Sequence, residues 1–128
     1  MKSNLLPWLL ILASLALSLW VRYSLVEQPE FGFFCEGGGA SWLCPVRWAI
    51  VQSFHSYGLG YLALFLGGLA TLTRSASVAL GAGVVGMMGL VLYNWDYAAL
   101  GFILGVLALA RTQLDDCRYQ HGTGQQQA

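Results

Sequence analysis

Charge is scarce in this chain. Only 9% of its 128 residues are Asp, Glu, Lys or Arg, where a soluble domain carries about 25%. So few ionic side chains cannot coat a globule of this size, which excludes a water-soluble enzyme domain. Net charge is absent too, because six basic and six acidic residues cancel. Phosphate-backbone binding needs a basic excess, so nucleic acid is excluded as a partner. There is no H-E-x-x-H pair, no phosphate-binding loop and no paired intramembrane carboxylate. No Ser-His-Asp or Cys-His set falls on one side of the chain. No catalytic constellation is therefore expected, and no metal site.

What is present is apolar sequence in long blocks. Hydrophobic residues make up 57% of the chain, and the mean hydropathy is +0.62. Such composition excludes disorder for most of the chain and is that of a membrane protein. A spanning helix needs about 20 apolar residues, within roughly 17–25.

Four blocks meet or approach that length. The first runs from Leu5 to Val21 between Lys2 and Arg22, with Pro7 in its first turn, where a missing N–H costs least. It is longer than the apolar region of a secretory signal, and no A-x-A site follows, so an uncleaved anchor helix is expected. The second runs from Trp48 to Leu72. The third runs from Ser77 to Tyr93, and a fourth from Tyr97 to Ala110. Asn94, Trp95 and Asp96 separate the last two, which predicts a tight hairpin. The expected fold is all-α, an up-down bundle of four transmembrane helices over residues 1–111. An outer loop spans 22–47, and a polar, disordered cytoplasmic tail covers 112–128.

Four spans place both termini on one side. Lys2, Arg74, Arg111 and Arg118 then share that side, and Arg22 and Arg47 share the other. This bias favours cytoplasmic termini in a plasma (inner) membrane. Trp8, Trp20, Trp48, Tyr93, Trp95 and Tyr97 fall near span ends, where amphipathic rings concentrate.

Cys35 and Cys44 fall in the outer loop around three consecutive glycines, and Cys117 falls on the reducing side. The expectation is one disulfide outside, Cys35 to Cys44, and one free thiol inside. A structural staple is the favoured role. The C-x8-C spacing departs from the C-x-x-C of thiol-tuned redox pairs.

Inside the second span, Gln52, His55, Ser56 and Tyr57 make a polar wedge that must face protein, water or a ligand rather than lipid. Asp96 lies at the outer end of the hairpin. There it can cap the fourth helix or pair with Arg47 across the outer rim. Glycine is dense: Gly81, Gly83 and Gly86 in the third span, Gly101 and Gly105 in the fourth. Each glycine weakens an isolated helix by about 1 kcal/mol, which close helix packing offsets. The third span carries small residues around most of its circumference, so a membrane protein partner or a second copy is expected to pack against it.

These features suit a non-catalytic accessory subunit or assembly factor of a larger membrane complex. One alternative is a membrane oxidoreductase module binding quinone or haem near His55. Another is a small oligomeric transporter or channel.

Overall fold

A computed structural model describes residues 5–92 and 95–126. Lys2, Tyr93, Asn94, Gln127 and Ala128, invoked above in the threading, the hairpin and the tail, lie outside them. The described residues form α1 (Leu6–Val21), α2 (Pro29–Glu36), α3 (Leu43–His55), α4 (Gly58–Thr73), α5 (Ala76–Val91) and α6 (Trp95–Gln126), and no strand is found among them. A π-helical turn, Arg22–Val26, prolongs α1.

Helices α4, α5 and α6 pack mutually, and α1 lies on α5. The hairpin between α4 and α5 is turned by Arg74 in the left-handed region (φ 51°), its N–H bonded to the Ala70 carbonyl at 3.0 Å. Trp8 Nε1 donates to Gln113 Oε1 at 3.1 Å, and Arg22 Nη1 donates to the Val91 carbonyl at 3.0 Å. These two bonds tie the start of α1 to the far part of α6 and its end to the end of α5. Hence α1 runs parallel to α5 and antiparallel to α6. One end of the bundle carries Trp8, Arg74, Arg111 and Gln113. The other carries Arg22, Tyr57, Val91 and Trp95.

α5 is the central helix. From Val78 to Leu92 none of its residues is exposed. Its small residues explain why. The alanine Cβ and backbone of α5 lie where a Cβ on Gly105 would stand, 2.8 Å from both Ala82 Cβ and Gly83 N. A Cβ on Gly86 would meet the Phe102 backbone of α6 at 2.8 Å. Ile11 of α1 sits over Gly83 on another side. On α1 the buried face reads Ile11, Ser14, Ser18, at helical spacing. Both serine hydroxyls donate to their own helix, Ser14 to Ile11 O and Ser18 to Ser14 O, each at 2.7 Å. Their polarity is thus satisfied locally, and the small side chains allow close approach.

Two to three of the helices are long and apolar enough to cross a membrane. Leu6–Val26 and Trp95–Gln125 qualify alone, and α3 with α4 qualifies as one bent pair. α4 and α5 have 16 residues each, about 24 Å against a hydrocarbon core of about 30 Å.

Two sequence expectations need correction. The block Trp48 to Leu72 is not one straight helix. It breaks at Ser56–Tyr57, where Tyr57 adopts a left-handed conformation (φ 54°) and the axes turn by 63°. Ser56 Oγ donates to Gln52 O at 3.1 Å, a local bond that competes with helix continuation. The helix also begins earlier, at Leu43, within the expected loop. The tail is not disordered from Thr112, because α6 continues to Gln126. Propagating an existing helix requires no new nucleus, so polar residues extend it readily.

Candidate functional site

The region between α1 and α4 is a helical cap, not an open loop. Pro29 starts α2 in its first turn, with Glu30 beside it complementing the free N–H groups. Gly37 N–H bonds Phe33 O at 2.9 Å, and Gly38 takes φ +84°, a conformation that disfavours any side chain. The chain therefore reverses at once into α3, and Cys35 and Cys44 come within a Cα separation of 5.5 Å, joined as a disulfide. Cys117 is free and exposed on α6.

The Arg47 guanidinium lies between α2 and α3. Its Nη2 sits against Gly32, 3.0 Å from where a Cβ would stand, and its Nε is buried with no partner among the described residues. A cleft of about 490 Å³ opens beside it, lined by Cys35, Glu36, Cys44, Arg47 and Trp48. Arg47 and Asp96 are not an ion pair. Arg47 is held at α2. Asp96 lies within the first turn of α6, one residue past the helix start, rather than before it as a cap. There its carboxylate favourably faces the helix N-terminal dipole. The ion pair that the described residues do contain is Arg22–Glu27, at 2.8 Å.

The polar wedge does not enter the bundle. Gln52, His55, Ser56 and Tyr57 are all exposed, because the 63° bend turns α3 away from the helix axes. Tyr57 makes an inter-helix contact all the same. Its ring meets Tyr97 edge-on at 6.1 Å, and Tyr61, one turn further on, stacks on Tyr97 at 4.7 Å. This three-tyrosine cluster fastens α4 to α6 at their shared end. Its sequence signal is the i, i+4 spacing of Tyr57 and Tyr61.

Of the glycines singled out, Gly83, Gly86, Gly101 and Gly105 lie at close helix contacts inside the bundle. Gly81 does not, since a Cβ there would meet nothing within 4 Å. Of the small residues expected to meet a partner, Gly83 and Gly86 pack within this chain, while Gly81 and the exposed Ser77 do not. α5 is enclosed by α1, α4 and α6, and most of its glycines are used within the chain.

Two other clefts among the described residues bear on function. One, of about 270 Å³, lies between α1, α3, α4 and α5 and is walled by Val21, Ile50, Leu59 and Met88 with the hydroxyls of Ser18 and Ser53. Ser53 Oγ donates to Ala49 O at 2.8 Å, so both hydroxyls already serve their own helices. The other lies at the opposite end of the bundle, between Arg74 and Arg111. Among the described residues no group of three or more His, Cys, Asp or Glu side chains is placed to hold a metal.

No protein-family model matches this chain, and no curated protein and no solved structure matches it.

Proposed function

We propose that the chain is a four-span integral protein of the plasma membrane with both termini cytoplasmic. In this reading it is a non-catalytic accessory subunit or assembly factor, and its stapled α2–α3 cap contacts a partner in a larger membrane complex. The alternating directions of α1, α4, α5 and α6 support four passes. The short α4 and α5 fit a bilayer that thins locally around them, at a cost of fractions of a kcal/mol per Å. Arg74, Arg111 and Arg118 at one end, against Arg22 and Arg47 at the other, support the orientation.

The cap carries the functional reading. It is covalently closed and touches the bundle little, yet it presents large aromatic side chains outward: Phe33 is 74% exposed and Trp42 76%. Rigid exposed aromatic surface is what protein interfaces bury at their centres. A device built only to hold the bundle together would turn those rings inward.

A photo-cross-linking residue at Trp42, activated in native membranes, tests this. The expected product is one discrete adduct with a second membrane protein, whose native complex is lost when this chain is deleted. Adducts with lipid alone, or only between copies of this chain, would overturn the accessory reading. A cytoplasm-specific reporter after Ala128 should be active. A periplasmic reporter active there would reverse the threading.

A further inference from the structure

The cleft at the Arg74 end has the composition of a phosphate site set at a membrane surface. Its floor is apolar, formed by the buried Ala70 of α4 and Ala108 of α6, with the exposed Leu107 of α6 beside it. Its rim is polar and cationic, with Arg74 from the α4–α5 turn and Arg111 from α6. The boundary between floor and rim falls where the apolar run of α6 ends, at Ala110. A phospholipid has the same order along its length, a charged phosphate above an apolar body.

We propose that Arg74 and Arg111 together bind the phosphate of an anionic phospholipid from the adjacent leaflet. Four observations carry this. Among the described residues no carboxylate lies within ion-pairing distance of either guanidinium, although Asp115 lines the same cleft. Each guanidinium therefore keeps its full set of donors, in the planar fork that suits a phosphate.

The two arginines also come from different elements, which the packing of α4 on α6 brings to one cleft. Arg74 holds the left-handed φ of 51° that a helix end usually assigns to glycine, so a large cationic side chain occupies a position that disfavours it. The helix dipoles do not oppose an anion here. The negative end of α4 and the positive end of α5 meet at this same turn and offset each other.

The cleft is about 100 Å³, the liquid share of roughly three waters. It admits one phosphate group, and the acyl chains must lie outside, along Leu107. Thr71 and Thr112 line the rim, but their hydroxyl protons are committed to Gly68 O and Leu109 O, at 2.7 and 2.8 Å. The arginines alone supply the donors. The inference requires that α4 and α6 cross the bilayer. It does not depend on which way they face, nor on the accessory-subunit reading.

The test uses the full chain purified in neutral detergent, with binding followed by native mass spectrometry and by thermal unfolding. Phosphatidylglycerol should bind saturably and raise the unfolding temperature, and phosphatidylcholine of the same chain length should not. Inorganic phosphate should have little effect, since it lacks the apolar body. If it matches phosphatidylglycerol, the lipid assignment fails.

An arginine near a membrane surface contributes about a fivefold affinity for anionic lipid, so R74Q and R111Q should each weaken binding about fivefold and together about twenty-fivefold. R118Q, further out on α6, should change nothing. Should the double variant not fold, D115N decides the matter, because removing the one carboxylate of the cleft should tighten phosphatidylglycerol binding severalfold. Unchanged or weaker binding by D115N, or undiminished binding by R111Q, overturns the proposal.

Discussion

Replacing Gly101 by alanine adds one methyl group to α6 at its closest approach to α4. The new Cβ would stand 2.6 Å from Leu64 N and closer still to the carbonyl group of Ala63. Carbon atoms in contact sit about 3.5–4.0 Å apart, so the two helices must separate by about 1 Å. The obstacle is backbone, and no rotamer change relieves it. A gap of that size forfeits a quarter to a half of each dispersion contact along the seam. Overpacking of this kind costs about 1–3 kcal/mol, and alanine's better helix propensity recovers about 1 kcal/mol of it. Because the obstacle is backbone the upper part of that range applies, and the expected net loss is up to about 2 kcal/mol.

Gly81→Ala is the matched control. Its Cβ meets nothing within 4 Å, so the same chemical change there should be neutral or stabilise by up to about 1 kcal/mol. Unfolding of both variants by sodium dodecyl sulfate in mixed micelles, followed by far-ultraviolet circular dichroism, measures the difference. If the two variants agree to within about 0.5 kcal/mol, the ordinary scatter of surface substitutions, the packing account is wrong.

Cys35→Ser should leave bundle unfolding within about 0.5 kcal/mol of the parent, because the cap touches α1 and α4 little, while sharply increasing proteolysis between Gly37 and Trp42. Equal loss of bundle stability would show that the cap is structurally integral. Arg22→Ala removes a 2.8 Å ion pair and the donor to the Val91 carbonyl, and should cost about 1–3 kcal/mol in the same micelle assay. An unchanged midpoint would mean that water replaces both contacts. His55→Gln and His55→Leu should leave both abundance and partner assembly unchanged, since His55 is exposed beyond the bend. A folded but unassembled His55→Gln protein would restore the ligand role for this imidazole.

Much of the architecture is legible in composition because burial in lipid is a length requirement. Arg22 and the apolar run before it place α1 within a residue of its observed bounds, and Cys35 and Cys44 pair because they alone fall between the first two blocks. The bend at Ser56–Tyr57 is hidden from the same reasoning. Hydropathy is summed along a segment and carries no record of axis direction, so the polar Gln52, Ser53, His55 and Ser56 before the break are averaged with the apolar residues around them. The reading that Gln52, His55, Ser56 and Tyr57 must face protein, water or a ligand supposes a straight helix through the bilayer, and the bend removes that premise. The small-residue face of α5 is legible in the sequence, but its neighbours are not. Periodicity can say that a helix packs closely and cannot say whether the neighbour belongs to the same chain. The helical tail is not legible in the sequence, because Gly122 and Gly124 argue for coil locally, while propagation from α6 overrides them.

The enclosure of α5 constrains the order in which this protein can be made. α5 emerges from the ribosome before the helix that covers its Gly86 and Ala82 face exists. Only the two residues Arg74 and Ser75 connect it to α4, so α4 and α5 can pair as a hairpin before α6 exists. α1 cannot take its final place until this pair arrives, and the Trp8–Gln113 bond must wait for most of α6 to be translated. α1 is thus the first helix made and among the last to be fastened. A chain cut short after α5 would leave the Gly86 and Ala82 face of that helix uncovered.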